Sequence, residues 1–178
     1  SAEEDLERLI RALKKVLDDH ERLLRELLRR LEEVVRRHKE LLKKLNRDLE
    51  EVLKDIKEKK RDKRELEEEL KRRLERHRRE SEKSKERVER ALREVKKKLE
   101  KSIRKLEEEL RKVEEKLRKD GATDETDKEV RDTIRRIRKH SREVAEEVRK
   151  IIEELRRHSK KMADDSKRTI DELRERAK

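Results

Sequence analysis

The chain has 178 residues, of which 62 % are charged and 28 % belong to the hydrophobic set, with no aromatic residue, no proline, no cysteine and a single glycine, Gly121. An ordinary domain is roughly a quarter charged and nearly half apolar, so these apolar residues are too few and too evenly spread to fill a compact single core, and can only line a thin seam. The same numbers exclude a disulfide framework and a thiolate metal site, and apolar runs no longer than pairs such as Leu23-Leu24 exclude a membrane-spanning helix.

The first predicted element is a helix over residues 3–59. The acidic start, Ser1-Ala2-Glu3-Glu4-Asp5, has no signal-peptide character, and Ser1-Ala2 reads as a cloning remnant. The apolar stripe then runs Leu6, Leu9, Leu13, Val16, His20, Leu23, Leu27, Leu31, Val34, His38, Leu41, Leu45, Leu49, Val52 and Ile56. Its steps alternate threes and fours with some fours doubled, and His20 to His38 and His38 to Ile56 are both 18 residues. Eighteen residues are about five helical turns, so the repeat describes a nearly straight helix, whereas a strict heptad imposes a supercoil. Pairs such as Leu9-Ile10, Val16-Leu17, Val34-Val35 and Leu41-Leu42 widen the stripe enough to face two partner helices.

The stripe breaks between Ile56 and Leu66, where a continued helix would bury Lys59 or Lys60, and then Lys63, at a high cost for unpaired ammonium groups. Asp62 and Glu65 have capping-box spacing. A tight turn is therefore placed near residue 61, within 57–63. The alternative is one continuous helix of roughly 115 residues, a length that suggests a multi-chain coiled coil. The second helix is predicted over 62–119. Its stripe is narrower, with no apolar residue between Leu74 and Val88.

The second break, over 119–124, is plain. Gly121 suits the left-handed position that ends a helix, and Thr123 or Asp124 suits the cap of the next, with acidic residues in its first turn favoured by the helix dipole. The third helix is predicted over 124–177. It shares the repeat, since Ile134 and Ile152, His140 and His158, and Ser141 and Ser159 are all 18 apart. Each helix would be roughly 85 Å long at 1.5 Å per residue. Near-equal lengths and short loops predict an all-α fold, an elongated antiparallel up-down-up three-helix bundle forming a single domain over 1–178.

Polar residues interrupt the stripes in a pattern. Folding at residue 61 and again at 121 sets His20 level with Ser102 and His140, and His38 level with Ser84 and His158. In both layers the first two numbers sum to 122 and the first and third differ by 120. A third layer, Asn46, His77 and Ser166, fits within one residue. Neutral imidazole has one donor and one acceptor, and a hydroxyl can serve as both, so a layer of two His and one Ser is expected to satisfy itself across three helices. A buried polar group left unsatisfied costs about 1–3 kcal/mol, so such layers disfavour slipped registers. Ser81, Ser141, Ser159, Thr133 and Thr169 are expected as auxiliary members. Two imidazoles per layer fall short of the three or four ligands of a zinc site, and Ser beside His here lacks an oxyanion hole and substrate access.

The His20/Ser102/His140 and His38/Ser84/His158 layers, the 18-residue repeat, and Glu, Lys or Arg at nearly every surface position resemble a family of molecules: de novo designed, parametrically generated helical bundles with buried hydrogen-bond networks. Strong helix formers at every exposed site are a design lever. The first turn departs from the pattern, having neither Gly nor Pro. The resemblance implies a structural scaffold or assembly building block whose polar layers specify helix register, with no catalysis and no cofactor. Two other readings stand beside it. One is a module destabilised by histidine protonation. The other is a natural basic coiled coil for nucleic acid or acidic partners. The formal net charge is +12, and residues 61–120 hold 25 basic and 18 acidic residues. The signs are finely mixed, however, and base-stacking aromatics are missing, so specific nucleic-acid recognition is not expected. No partner is required. Self-association or a designed helical partner is what spare apolar surface on the first and second helices would serve.

Overall fold

A computed structural model describes residues 1–58, 62–121 and 123–177. Among them are three α-helices: α1 (Ala2–Lys57), α2 (Lys63–Asp120) and α3 (Asp124–Ala177), and no strand. The protein is an all-α three-helix bundle. The expected turn near residue 61 lies outside the described residues. α1 ends two residues before its expected limit, with Glu58 in a turn, and α2 folds back on α1, which removes the continuous-helix alternative.

The helix ends follow local chemistry. Ser1 caps α1: its Oγ accepts from the Glu4 amide at 3.3 Å and its carbonyl from the Asp5 amide at 3.1 Å. Glu4 reaches back to the Ser1 nitrogen at 3.5 Å, completing a capping box that the reading of Ser1-Ala2 as a remnant overlooked. The Asp62 carbonyl accepts from the Leu66 amide to open α2. Gly121, at φ 71°, closes it, in the left-handed region where a side chain is strained. Thr123 caps α3, its Oγ1 accepting from the Thr126 amide at 3.2 Å.

The contacts divide into two compact units. The first comprises residues 1–30 and 92–150, the second residues 31–91 and 151–178. In the first, Leu6, Ile10 and Leu13 of α1 meet Val113 of α2 and Val130 of α3. In the second, Val52 and Leu53 meet Leu70 of α2 and Leu173 of α3. Among the described residues α1 supplies fourteen buried hydrophobic side chains, α2 six and α3 three. The paired apolar residues of α1 explain this, because they let it face both partners, as their width requires.

Ion pairs fix the flanks. In the first unit Lys14 of α1 meets Glu129 of α3, and Arg136 of α3 meets Asp18 at 2.9 Å and Glu21 at 3.0 Å. In the second, Lys39 meets Glu154 at 3.8 Å, Lys57 meets Glu172 at 2.9 Å, and Arg73 of α2 meets Asp48 at 3.7 Å. In each unit α3 therefore runs parallel to α1. No described helix is long and apolar enough to cross a membrane.

Candidate functional site: three buried polar layers

The first unit holds one layer. His20, only 3 % exposed, sits on the buried stripe of α1, and its Nδ1 is 2.5 Å from the Ser102 Oγ of α2. His140 of α3 comes to the same level, its ring edge-on to His20 with centroids 5.6 Å apart at 75°. Burial, then the neighbouring His140, holds the His20 imidazole below its usual pKa, and Glu21 pulls the other way. His140 is half-buried, and its Nδ1 is sealed from solvent without a hydrogen-bond partner. An open groove of about 330 Å³ runs beside this layer between α1 and α2, floored by Val16 and Leu23 and edged by Asp19, Lys98, Lys101 and Lys105.

The second unit holds two. In one, the buried His38 brings its Nδ1 to 2.6 Å from the Ser84 Oγ. Burial, then His158, lowers the His38 pKa. His158 is half-buried with both ring nitrogens sealed and unpartnered. Its pKa is lowered by burial and then by Lys39, Lys43 and Lys161.

The last layer joins all three helices. The buried Asn46 donates from Nδ2 to the Met162 carbonyl of α3 at 3.1 Å, and its Oδ1 lies 2.9 Å from His77 Nε2 of α2. An amide oxygen only accepts, so His77 carries its proton on Nε2 and donates. The Ser166 Oγ stands 3.4 Å from the same nitrogen. Burial lowers the His77 pKa.

All nine expected layer residues are thus brought to their levels, but the bonding corrects the expectation in two ways. The His/Ser layers do not close across three helices, because each serine bonds the α1 histidine and the α3 imidazole is left out. A hydroxyl one carbon from the backbone serves the helix it touches, whereas an amide carries its donor and acceptor on a longer arm. Second, the auxiliary residues turn inward on their own helices. Ser81, Thr133 and Thr169 donate to the carbonyls of Arg78, Glu129 and Asp165 at 3.1, 2.9 and 3.1 Å, as hydroxyls within helices commonly do. Ser141 is exposed and Ser159 half-buried. The sequence reading missed Met162, whose role rests on a backbone carbonyl, and the Glu21–Arg136–Asp18 cluster beside His20, whose only signal was the level of these charges.

Among the described residues no group of three or more His, Asp or Glu side chains is placed to hold a metal ion. No family model, curated protein or solved structure matches the chain.

Proposed function

We propose that the chain is a structural scaffold, of the designed-bundle type its sequence resembles, whose buried polar layers specify how the helices align. One observation carries the reading. The three α1–α2 hydrogen bonds join residues whose numbers sum to 122, 122 and 123, so each layer independently selects one register. Slipping α2 by a turn would bury three imidazoles and two hydroxyls unpaired, each at about 1–3 kcal/mol.

Cysteine crosslinking tests this. Asp5→Cys with Lys116→Cys replaces residues whose side chains meet in an ion pair and should be joined readily by a short bifunctional maleimide, while Asp5→Cys with Lys112→Cys lies a turn out of register and should be joined far more slowly. A second background carries Leu or Ala at all nine layer positions. That background should be at least as stable, since apolar replacements of buried polar groups often are, yet crosslink in both pairings. A single register in the apolar background would sink the proposal.

A second reading has its own observation: His20, His38, His77 and His158 all have lowered pKa values. The folded state then binds fewer protons than the unfolded state. Stability is full above about pH 6.5, the unfolded value, and falls as pH drops below it. Facing groups modulate this. Glu21 favours the charged form of His20, His140 opposes it, and Lys39, Lys43 and Lys161 oppose that of His158. The scaffold would then also be an acid-sensitive module. Equal melting temperatures at pH 7.5 and 5.5 would remove this reading.

A further inference from the structure

On the α2–α3 side of the first unit Leu110 and Ile134 pack against the core, but Ile103 is left outside it. On α2 the flank turned to α1 is marked by Ser102, bonded to His20, and by Lys116, paired with Asp5. On the other side of the buried Leu106 and Val113, at about 100° per residue, lie Leu99 and Leu110, half-buried, and Ile103, 38 % exposed and the one large hydrophobic described as exposed. On α3 the α1 flank is marked by Glu129 and Arg136. Its opposite side presents Ile134, half-buried, with Ser141 and Ala145, both exposed. Elsewhere the exposed positions are mostly charged, with lone alanines exposed at Ala12 and Ala163, so Ile103 facing Ser141 and Ala145 departs from the rule of the surface.

The rims outside these rows differ in sign along their middle. On α2 the rim carries Glu100, Glu107 and Glu114, with Lys96 and Arg118 at its two ends. On α3 it carries Arg131, Arg138 and Arg142, with Asp124 and Asp127 at one end. Ser102 and His140 share a level, both meeting His20, so residue n of α2 is level with about 242 − n of α3. Glu100 then matches Arg142, and Glu107 and Glu114 match Arg138 and Arg131 within a turn. Yet no ion pair joins α2 to α3 among the described residues of this unit. Arg131 pairs with Asp127 of its own helix at 3.0 Å.

We propose that this face docks a second copy of the chain. A two-fold axis parallel to the helices sets α2 of each copy opposite α3 of the other. Levels are preserved by such an axis, so the acidic rim of one copy meets the basic rim of its mate twice, and Ile103 is covered by the Ser141–Ala145 surface. Self-complementarity of this kind is what an isologous interface requires, and no foreign chain is needed to explain the charges. The formal net charge of +12 opposes association at long range, so the dimer is expected at high protein concentration and moderate salt, where that repulsion is screened.

Sedimentation equilibrium is the experiment. The native chain should approach twice its 22.0 kDa mass as concentration rises. Ile103→Lys should weaken dimerisation at least tenfold with helical circular dichroism unchanged, because Ile103 is exposed in the single chain. Glu100→Lys with Glu107→Lys should be monomeric, as should Arg138→Glu with Arg142→Glu, and mixing these two variants should restore a dimer. Restoration on mixing separates docking between copies from closure of α2 on α3 within one chain, which would leave the mixture monomeric. A native chain monomeric at every concentration, a dimer indifferent to Ile103→Lys, or a mixture that stays monomeric would each overturn the proposal.

Discussion

In the unit built from residues 1–30 and 92–150 the polar layer bonds two helices, while in the unit of residues 31–91 and 151–178 one of two layers bonds all three. The residue types are nearly the same, so the difference lies in reach. Ser102 and Ser84 each hold one α1 histidine at 2.5 and 2.6 Å, and leave His140 and His158 with sealed, unpartnered nitrogens. Asn46 holds His77 with one end of its amide and the Met162 carbonyl with the other. A network is completed by a side chain that reaches both neighbouring helices, and not by the number of polar residues at a level.

The sharpest way to break the contrast is Asn46→Ala. It removes both inter-helix bonds, leaves the His77 N–H with only the distant Ser166 hydroxyl, and opens a small cavity at an 8 % exposed site. A loss of about 3 kcal/mol is expected from chemical denaturation. Ser102→Ala removes one bond and should cost about 1–2 kcal/mol. Equal losses for the two variants would contradict the account of reach.

Acid should separate the units next. The second unit contains three histidines with lowered pKa values, His38, His77 and His158, and the first contains one, His20. Each proton bound by the unfolded chain but not the folded one removes up to about 1 kcal/mol between pH 6.5 and 5.5. His77 and His158 are half-buried and partly screened, so the second unit should lose more stability than the first while staying below the ceiling that its three protons set. Amide hydrogen exchange at pH 7.5 and 5.5, corrected for intrinsic rates, reads this directly. Protection should fall more in residues 31–57 than in residues 6–30, and a uniform fall would remove the distinction. Glu75 and Glu94, whose pKa values are lowered by Arg78 and Lys98, begin to titrate only at lower pH and do not confuse this window.

Most of this arrangement was legible in the sequence. Helix number, the Gly121 stop and the three levels all follow from spacing, because spacing along a helix is position in space. Folding at residue 61 thus sets His20 level with Ser102 from sequence numbers alone. Bonding was not legible. Whether Ser102 serves His20 or His140 depends on which neighbour comes within about 3 Å, and periodicity carries no such information. The Met162 carbonyl was invisible for another reason: every residue has one. Thr133 and Thr169 fell on the stripe as expected, but their hydroxyls found carbonyls four residues back on the same helix, a local option that a level diagram does not contain.

Helix ends give a smaller test. Thr123→Ala removes the acceptor for the Thr126 amide and the partner of the buried Thr126 hydroxyl. About 1 kcal/mol should be lost, the usual worth of a cap, with protection lowered in the first turn of α3. Thr123→Ser should restore most of it, since the hydroxyl is kept, and an Ala variant as stable as the native chain would mean that water replaces the cap without cost.

The smallest effects sharpen the comparison most, because their sign is unusual. If His158 and His140 bring polar atoms into the core and gain no bond for them, replacing either with Leu should stabilise the fold. His158 has two sealed nitrogens and His140 one. The expected gain is therefore larger for His158→Leu, about 1 kcal/mol, than for His140→Leu, about 0.5 kcal/mol. Neither substitution disturbs a bonded partner, as Ser84 and Ser102 stay with His38 and His20. The converse case is His77→Leu, which strips a partner from Asn46 and should destabilise. Three histidines of one chain, all on the apolar stripes of their helices, would then differ in sign by their hydrogen bonds alone. Destabilisation by His158→Leu at pH 7.5 would show that its ring is held by more than packing.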